Sequence, residues 1–176
     1  KLWSQILKEV PESVLWLISD NEQFKSNFKH EFKKKNIDPN RIIFSKKIPI
    51  YEHLKRIQNA DLFLDTFPYN AHTTCSDSIW AGVPLITIEG QSFQSRVASS
   101  LLKSSGLDEL VAKNENEYLK KAIFFANNKI QLENLKKKMA KFKDKNPIFD
   151  NISFTKSIEQ AYSLALEKKI KKEQLE

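Results

Sequence analysis

The sequence predicts an α/β fold in which a parallel β-sheet is covered by helices on both faces. Apolar runs of strand length alternate with amphipathic helical patterns over residues 1–112. The runs 13–19 and 84–88 lack the apolar-polar alternation of a half-exposed strand, which is typical of strands covered on both faces. Alternation of strands and helices favours right-handed crossovers, and therefore parallel pairing.

The first half of this pattern contains three helices and three strands. Apolar residues at helical spacing lead to Pro11, and Phe24, Phe28 and Phe32 form a second stripe at spacing four. The expected order is a helix ending before Pro11, a strand over 13–19, a helix from Phe24 that closes at Asn36, a strand over 41–45, a helix over 50–58 and a strand over 60–64.

The second half continues the alternation and then becomes entirely helical. We expect a helix over 74–81, a strand over 84–88, a helix over 93–103 and a short strand over 109–112. Apolar stripes over 119–126, 132–142 and 158–165 predict three further helices. Asn146-Pro147 is the clearest break, so we divide the chain into a lobe at 1–149 and a C-terminal helical tail at 150–176, which we expect to reach over a neighbouring lobe.

Composition excludes several kinds of site. The three glycines cannot form a Gly-rich nucleotide loop, so any bound phosphate must be held in another way. The single cysteine, Cys75, has no disulfide partner and, with three scattered histidines, predicts no zinc site. We read Cys75 as a small buried residue rather than a nucleophile, and we expect a reducing, cytoplasmic setting.

The net charge of +7 is unevenly distributed. Residues 1–112 carry 14 basic and 13 acidic side chains, whereas residues 113–176 carry 15 basic, all lysine, and 9 acidic. Solvated helix faces explain this excess, and a patch for nucleic acid or for an acidic membrane surface is the alternative. The apolar runs are too short to span a membrane. The chain starts without Met and without a signal-peptide pattern, so we expect a piece of a longer protein.

The most polar loop follows the third predicted strand. In open parallel sheets, ligands bind beyond the carboxyl ends of the strands, where helix N-termini present free N–H groups. His72, Thr73 and Thr74 lie at such a helix start, where hydroxyls, amides and the helix dipole can bind an anion without glycine. The alternative is a capping box between Thr74 and Asp77 that needs no ligand.

His53 and Arg56 follow the neighbouring strand in sequence and are expected at the same sheet edge. One interpretation is that His53 stacks on a base or bonds to a ribose. The other is an ordinary surface or core histidine.

The order of these residues resembles the SPINDLY/O-linked N-acetylglucosamine transferase family over residues 1–150. The resemblance includes a complete His-Thr-Thr block and several flanking motifs in the same order. The matching segments are 14–17, 40–44, 52–56, 60–74, Asp77, 80–84 and 95–99.

This resemblance implies the C-terminal, Rossmann-like nucleotide-binding lobe of a GT-B glycosyltransferase. In the family, the positions that match His72, Thr73 and Thr74 contact the donor diphosphate, and the position of Asp77 accepts from the ribose hydroxyls. The positions of His53, Arg56 and the Ile48 backbone surround the base. A lysine common in the family is replaced by Ile50, so one nucleotide contact is absent or is supplied elsewhere.

The implied function is inverting transfer of a sugar from a nucleotide diphosphate donor to Ser or Thr hydroxyls of an acceptor protein. UDP-N-acetylglucosamine is the first choice of donor, with no cofactor or metal required and no role for nucleic acid. The family's N-terminal catalytic lobe and tetratricopeptide repeats are not in this chain, which we expect to be inactive alone. Alternatives are a protein O-fucosyltransferase that uses GDP-fucose, a GT-B-fold epimerase, and a non-catalytic basic scaffold or nucleic-acid-binding module.

Overall fold

Helices and strands alternate from residue 2 to residue 112 in the computed structural model, which describes residues 1–173. The helices are α1 (Leu2–Glu9), α2 (Glu22–Lys33), α3 (Ile50–Ile57), α4 (Thr73–Ala81), α5 (Val97–Ser104), α6 (Glu115–Asn127), α7 (Lys129–Phe142) and α8 (Asn151–Glu173). The strands are β1 (Leu15–Ile18), β2 (Ile42–Ser45), β3 (Phe63–Leu64), β4 (Leu85–Ile88) and β5 (Val111–Ala112).

Every strand pairing in the described residues is parallel. Leu15 to Ile18 of β1 align with Ile42 to Ser45 of β2 in continuous register. Strands β3, β4 and β5 form a second set with β4 in the centre. Parallel strands flanked by helices confirm the predicted α/β class, although the pairing forms two sets in place of one continuous ladder.

Two apolar clusters hold these layers together. The larger one surrounds β4, whose four residues are all buried, and takes side chains from α4, α5, α6 and α7. The smaller one fixes α1 and α2 on β1 and β2, and includes Leu15, Phe32 and Ile42. Trp3 packs against both clusters. The clusters therefore fix the strands and leave their carboxyl ends free to carry a site.

Several boundaries differ from the sequence prediction. Strand β3 covers only Phe63–Leu64 of the expected 60–64. Helix α4 begins one residue earlier, at Thr73, and β5 is shortened because residues 108–110 form a 3-10 turn. Helix α5 begins at Val97 and not at residue 93. The reason is local, since the hydroxyls of Ser92 and Ser95 bond to each other and to the backbone of the turn between them. Such side-chain bonds compete with helix formation.

Helix α8 lies next to the predicted boundary of the C-terminal tail and differs from the rest of the chain in its exposure. All its side chains from residue 151 to residue 172 are exposed. Asp150 caps its first turn by accepting from the backbone N–H of Ser153 at 3.0 Å. The last three residues of the predicted tail, 174–176, lie outside the described residues. Among the described helices, none is long and apolar enough to cross a bilayer.

Candidate functional site

A cavity of about 640 Å³ lies between β1 and β3 and extends to the loop that follows the carboxyl end of β3. This is the sheet edge at which open α/β folds bind ligands. Trp3, 14–17, 62–66 and 69–74 line the cavity. The cavity wall therefore contains His72, Thr73 and Thr74, the three residues that the sequence predicted for an anion.

The N-terminus of α4 forms the polar part of this wall. His72 is the N-cap residue, and no side chain caps the helix, so the capping box considered for Thr74 and Asp77 is not formed. The first N–H groups of a helix have no partner within the helix. Thr73 and Thr74 are exposed, and within the described residues neither hydroxyl makes a hydrogen bond. The N–H groups of Cys75 and Ser76 already donate to the His72 carbonyl, at 2.9 and 3.3 Å. The N–H groups and hydroxyls of Thr73 and Thr74, together with the positive end of the helix dipole, are thus available to an anion.

The His72 imidazole is held between two aromatic rings. Its ring lies nearly parallel to that of Tyr69, with centroids 5.1 Å apart, and meets the edge of Phe93 at 6.0 Å. The Nε2 atom of His72 is buried and has no hydrogen-bond partner. A buried polar atom without a partner is costly in free energy, so this nitrogen is a candidate contact for a ligand oxygen.

A second group of polar residues lies on α3, which packs against α4. The Arg56 guanidinium lies 5.6 Å from the centre of the Trp16 ring, which lines the cavity. Its Nη2 donates to Nδ1 of His53 at 3.2 Å, and its Nη1 donates to the Lys46 carbonyl at 2.8 Å. Because guanidinium nitrogens only donate, Nδ1 is the acceptor, and the neutral His53 ring carries its proton on Nε2.

Electrostatics favour this neutral form of His53. Burial lowers the pKa of His53 below its ordinary value of 6.5, and the charge of Arg56 lowers it further. The charge of Asp77 acts in the opposite direction. Half-buried Asp77 therefore lies near enough to influence His53, which brings these two predicted site residues together.

Ile48 is the predicted residue that the structure connects least to this site. It is half-buried in the irregular segment before α3, and within the described residues it neither lines the cavity nor bonds to His53. Its role near a base stays a prediction.

Sequence reasoning missed Asp65, which follows β3 directly and is buried under the same loop. Burial raises the pKa of Asp65, and hydrogen bonds from Thr87, Ala71 and Thr66 act against that shift. The available signal was an acidic residue placed immediately after a predicted strand, at the edge where ligands bind.

Cys75 lies in the first turn of α4 and is fully buried. Burial raises the pKa of its thiol to about 12. A thiol of this kind is protonated at neutral pH and is a poor nucleophile, in agreement with the expected packing role. In residues 1–173, no three His, Cys, Asp or Glu side chains come together as a set that could hold a metal ion.

The model of glycosyl transferase family 41 matches residues 1–158, which include the cavity and both polar helices. The chain belongs to this family. A UDP-N-acetylglucosamine–peptide N-acetylglucosaminyltransferase of Caenorhabditis elegans is 37% identical over 149 residues, which are 85% of this chain and 13% of that protein. The protein SEC of Arabidopsis thaliana, named as a probable enzyme of the same kind, is 36% identical over 161 residues, 91% of this chain and 16% of that protein.

A solved family 41 relative has the same fold. A mutant of the Thermobaculum terrenum O-GlcNAc transferase superposes with a TM-score of 0.86 and 30% identity, covering 92% of this chain and 32% of that one. The family resemblance and the Rossmann-like GT-B fold predicted from the sequence are thereby confirmed. The chain spans less than a third of the length of each of these relatives.

Proposed function

We propose that this family 41 chain is the donor-binding lobe of an inverting glycosyltransferase that modifies Ser or Thr hydroxyls of proteins. UDP-N-acetylglucosamine is the first choice of donor, because the relatives just described are named for that substrate or its sugar. The observation that carries the proposal is the uncapped N-terminus of α4, which faces the 640 Å³ cavity with His72, Thr73 and Thr74.

The proposed chemistry at this site is electrostatic. When an acceptor hydroxyl attacks the anomeric carbon, negative charge builds on the departing diphosphate. The helix amides are fixed in place before the reaction, so they can stabilise that charge without reorganising. The two hydroxyls and Nε2 of His72 can donate to it as well. Asp77 would accept from the ribose hydroxyls, and His53, Arg56 and the Ile48 backbone would surround the base.

We propose that no metal ion is needed to bind the diphosphate, because N–H groups and hydroxyls donate hydrogen bonds to it. The one carboxylate in the cavity wall, Asp65, already accepts three hydrogen bonds. UDP should therefore bind equally well with and without EDTA.

The full reaction requires partners beyond this chain. We propose an acceptor protein, an N-terminal catalytic lobe and tetratricopeptide repeats as those partners, and a cytoplasmic setting. Binding of nucleic acid is not favoured, because several C-terminal lysines are already used within the fold, as Lys138 is with the Gly106 carbonyl and Glu109.

Calorimetric titration tests the proposal. The chain is titrated with UDP, with GDP and with a single-stranded oligonucleotide at two salt concentrations. We expect a nucleoside diphosphate to bind with little dependence on salt, and UDP to bind more tightly than GDP. Preference for GDP would change the donor to a guanine nucleotide sugar, such as GDP-fucose. Salt-sensitive binding of the oligonucleotide, with no binding of UDP or GDP, would refute the proposal.

A further inference from the structure

The carboxylate of Asp65 binds both ends of the loop that leads into the candidate anion site. Its Oδ1 accepts from the backbone N–H of Thr66 and from that of Ala71, each at 2.8 Å. Its Oδ2 accepts from the hydroxyl of Thr87 in β4 at 2.6 Å. The side chain is 5% exposed, so these three donors replace the water that a carboxylate loses on burial.

The backbone of Asp65 is fixed as firmly as its side chain. Its N–H donates to the Ile86 carbonyl in β4 at 3.0 Å. Its carbonyl accepts from the Tyr118 hydroxyl of α6 at 2.9 Å, and Trp3 donates to that hydroxyl at 3.4 Å. The backbone of Asp65 is thus bonded to the central strand and to a helix of the core, while its side chain is free to bond to the loop.

The loop itself, residues 66–71, is closed by its own side chains. The hydroxyl of Thr66 donates to the Tyr69 carbonyl at 2.6 Å, and the Asn70 amide donates to the Thr66 carbonyl at 2.8 Å. His72 comes directly after this loop as the N-cap of α4. The orientation of His72 and of the first N–H groups of α4 therefore depends on where Asp65 holds Ala71.

We propose that Asp65 is a positioning residue for the diphosphate. This inference rests on the proposed function and assigns the residue no contact with the donor. A carboxylate beside a diphosphate would repel it, and both oxygens of Asp65 are engaged by the protein. What Asp65 supplies is the fixed geometry of residues 66–72, which directs the free amides of α4 into the cavity.

Two variants of Asp65 test whether the site depends on the hydrogen bonds that this side chain accepts. One variant removes these bonds and the other preserves them. Asp65→Leu keeps the branched shape of the side chain but leaves the N–H groups of Thr66 and Ala71 without their acceptor. Asp65→Asn keeps an oxygen for those two N–H groups, and its amide can donate to the Thr87 hydroxyl. We expect Asp65→Leu to weaken UDP binding by about tenfold or more, and Asp65→Asn to stay within about threefold of the unsubstituted chain.

Ser78→Ala is the matched control for stability. Ser78 is fully buried at the other end of α4 and donates to the Val83 carbonyl at 2.8 Å. Its loss should lower the melting temperature but leave UDP affinity unchanged. Equal affinity in Asp65→Leu and the unsubstituted chain would overturn the inference. An affinity loss in Asp65→Asn as large as in Asp65→Leu would overturn it too, because the conservative variant preserves the loop bonds.

Amide hydrogen exchange in the unsubstituted chain tests the same inference without any variant, should Asp65→Leu fail to fold. We expect slow exchange at Thr66 and Ala71 in the absence of ligand, because Asp65 sequesters both N–H groups. Exchange at the rate of a free loop would overturn the positioning role while leaving the proposed function intact. If the unsubstituted chain binds neither UDP nor GDP, the proposed function fails, and the positioning role fails with it.

Discussion

Two regions of the chain differ in the groups that they offer to an anion. They are the loop and helix at residues 65–77 and the lysine-rich helices α6 and α7. The first region belongs to the part of the chain with a net charge of only +1, yet it presents free helix amides, two hydroxyls and an unpartnered imidazole nitrogen to a cavity. In the second region, some of the lysines are bound by neighbouring groups. Lys136 bonds to Asp61, and Lys121 bonds to the Glu109 carbonyl.

This difference teaches that the count of charges and the place where an anion binds are separate properties of the chain. Exposed lysines attract anions at long range, but salt screens that attraction. Directed N–H groups at a helix N-terminus bind at short range and add little to the net charge. We therefore expect diphosphate affinity to depend on a few neutral residues and not on the basic C-terminal half.

The largest contrast should come from placing one negative charge in each region. Thr73→Glu puts a carboxylate at the first position of α4, where repulsion should weaken UDP binding by about 100-fold or more. The same change should preserve or raise the melting temperature, because an acidic residue in a first turn stabilises a helix by roughly 0.3–1 kcal/mol. Calorimetry and thermal melting measure the two effects separately.

Lys137→Glu is the matched substitution in α7. Lys137 is exposed and makes no hydrogen bond or ion pair within residues 1–173. The substitution Lys137→Glu replaces a positive charge by a negative one and so changes the net charge by more than Thr73→Glu does. We nevertheless expect it to leave the affinity for UDP unchanged. A larger loss for Lys137→Glu than for Thr73→Glu would reverse the comparison.

Asp77→Ala should have the next largest effect. If Asp77 holds the ribose through charged hydrogen bonds, UDP binding should weaken by about 1–3 kcal/mol, while 2′,3′-dideoxy-UDP should bind equally to both proteins. Calorimetric titration with the two nucleotides measures this difference. An equal loss for both nucleotides, or a lower melting temperature with unchanged affinity, would leave Asp77 with a structural role alone.

Acid should weaken binding through His53 by a smaller amount. The pKa of His53 is lowered below 6.5 in the folded chain, so the ring is neutral at pH 7 and gains a proton only as the pH falls through that lowered value. Protonation removes the acceptor at Nδ1 and places a cation against Arg56. Affinity for UDP-N-acetylglucosamine, whose diphosphate keeps its charge in this range, should therefore fall from pH 7.5 to pH 5.5.

His53→Gln is the control for this pH dependence, because its side chain does not titrate. A slope that persists in His53→Gln would assign the pH dependence to another group. Acid should also lower the free energy of unfolding through His53. Because its pKa is lowered by folding, its contribution to stability is present above pH 6.5 and declines as the pH falls below that value.

Removing one C-terminal lysine should have the smallest effect. Lys138 donates to the Gly106 carbonyl at 2.6 Å and to Glu109 at 2.7 Å, with its side chain 38% exposed. Because the ion pair is partly exposed to solvent, Lys138→Met should lower the free energy of unfolding by no more than about 1 kcal/mol. UDP affinity should stay the same. A weakening of UDP binding would give the basic helices a part in the site.

Much of the fold could be predicted from local patterns. Apolar runs over 13–19 and 84–88 predicted strands β1 and β4, because strands covered on both faces lack polar alternation. The expected burial is confirmed for β4, whose four residues are all buried, but was wrong for β1, in which only Leu15 is buried and Ile18 is exposed. The place of His72, Thr73 and Thr74 followed from the same logic, since a polar loop after a strand leads into a helix start at the ligand-binding edge.

The network that supports this helix start could not be predicted in the same way. Asp65 bonds to Ala71, Thr87 and Tyr118, which lie 6, 22 and 53 residues further along the chain. No periodic pattern links residues at these separations. The boundary of α5 was wrong for a different reason, because two serine hydroxyls hold residues 92–95 in a turn that apolar spacing does not reveal.

Mapping of UDP on the chain by nitrogen-15 NMR tests the central claim most directly. The claim is that the anion binds to the uncapped amides of α4 and not to the basic helices. We predict that the largest shifts on addition of UDP occur at the backbone amides of residues 72–74, with smaller ones near His53 and Asp77. Shifts confined to residues 129–145, with those amides unmoved, would contradict the account.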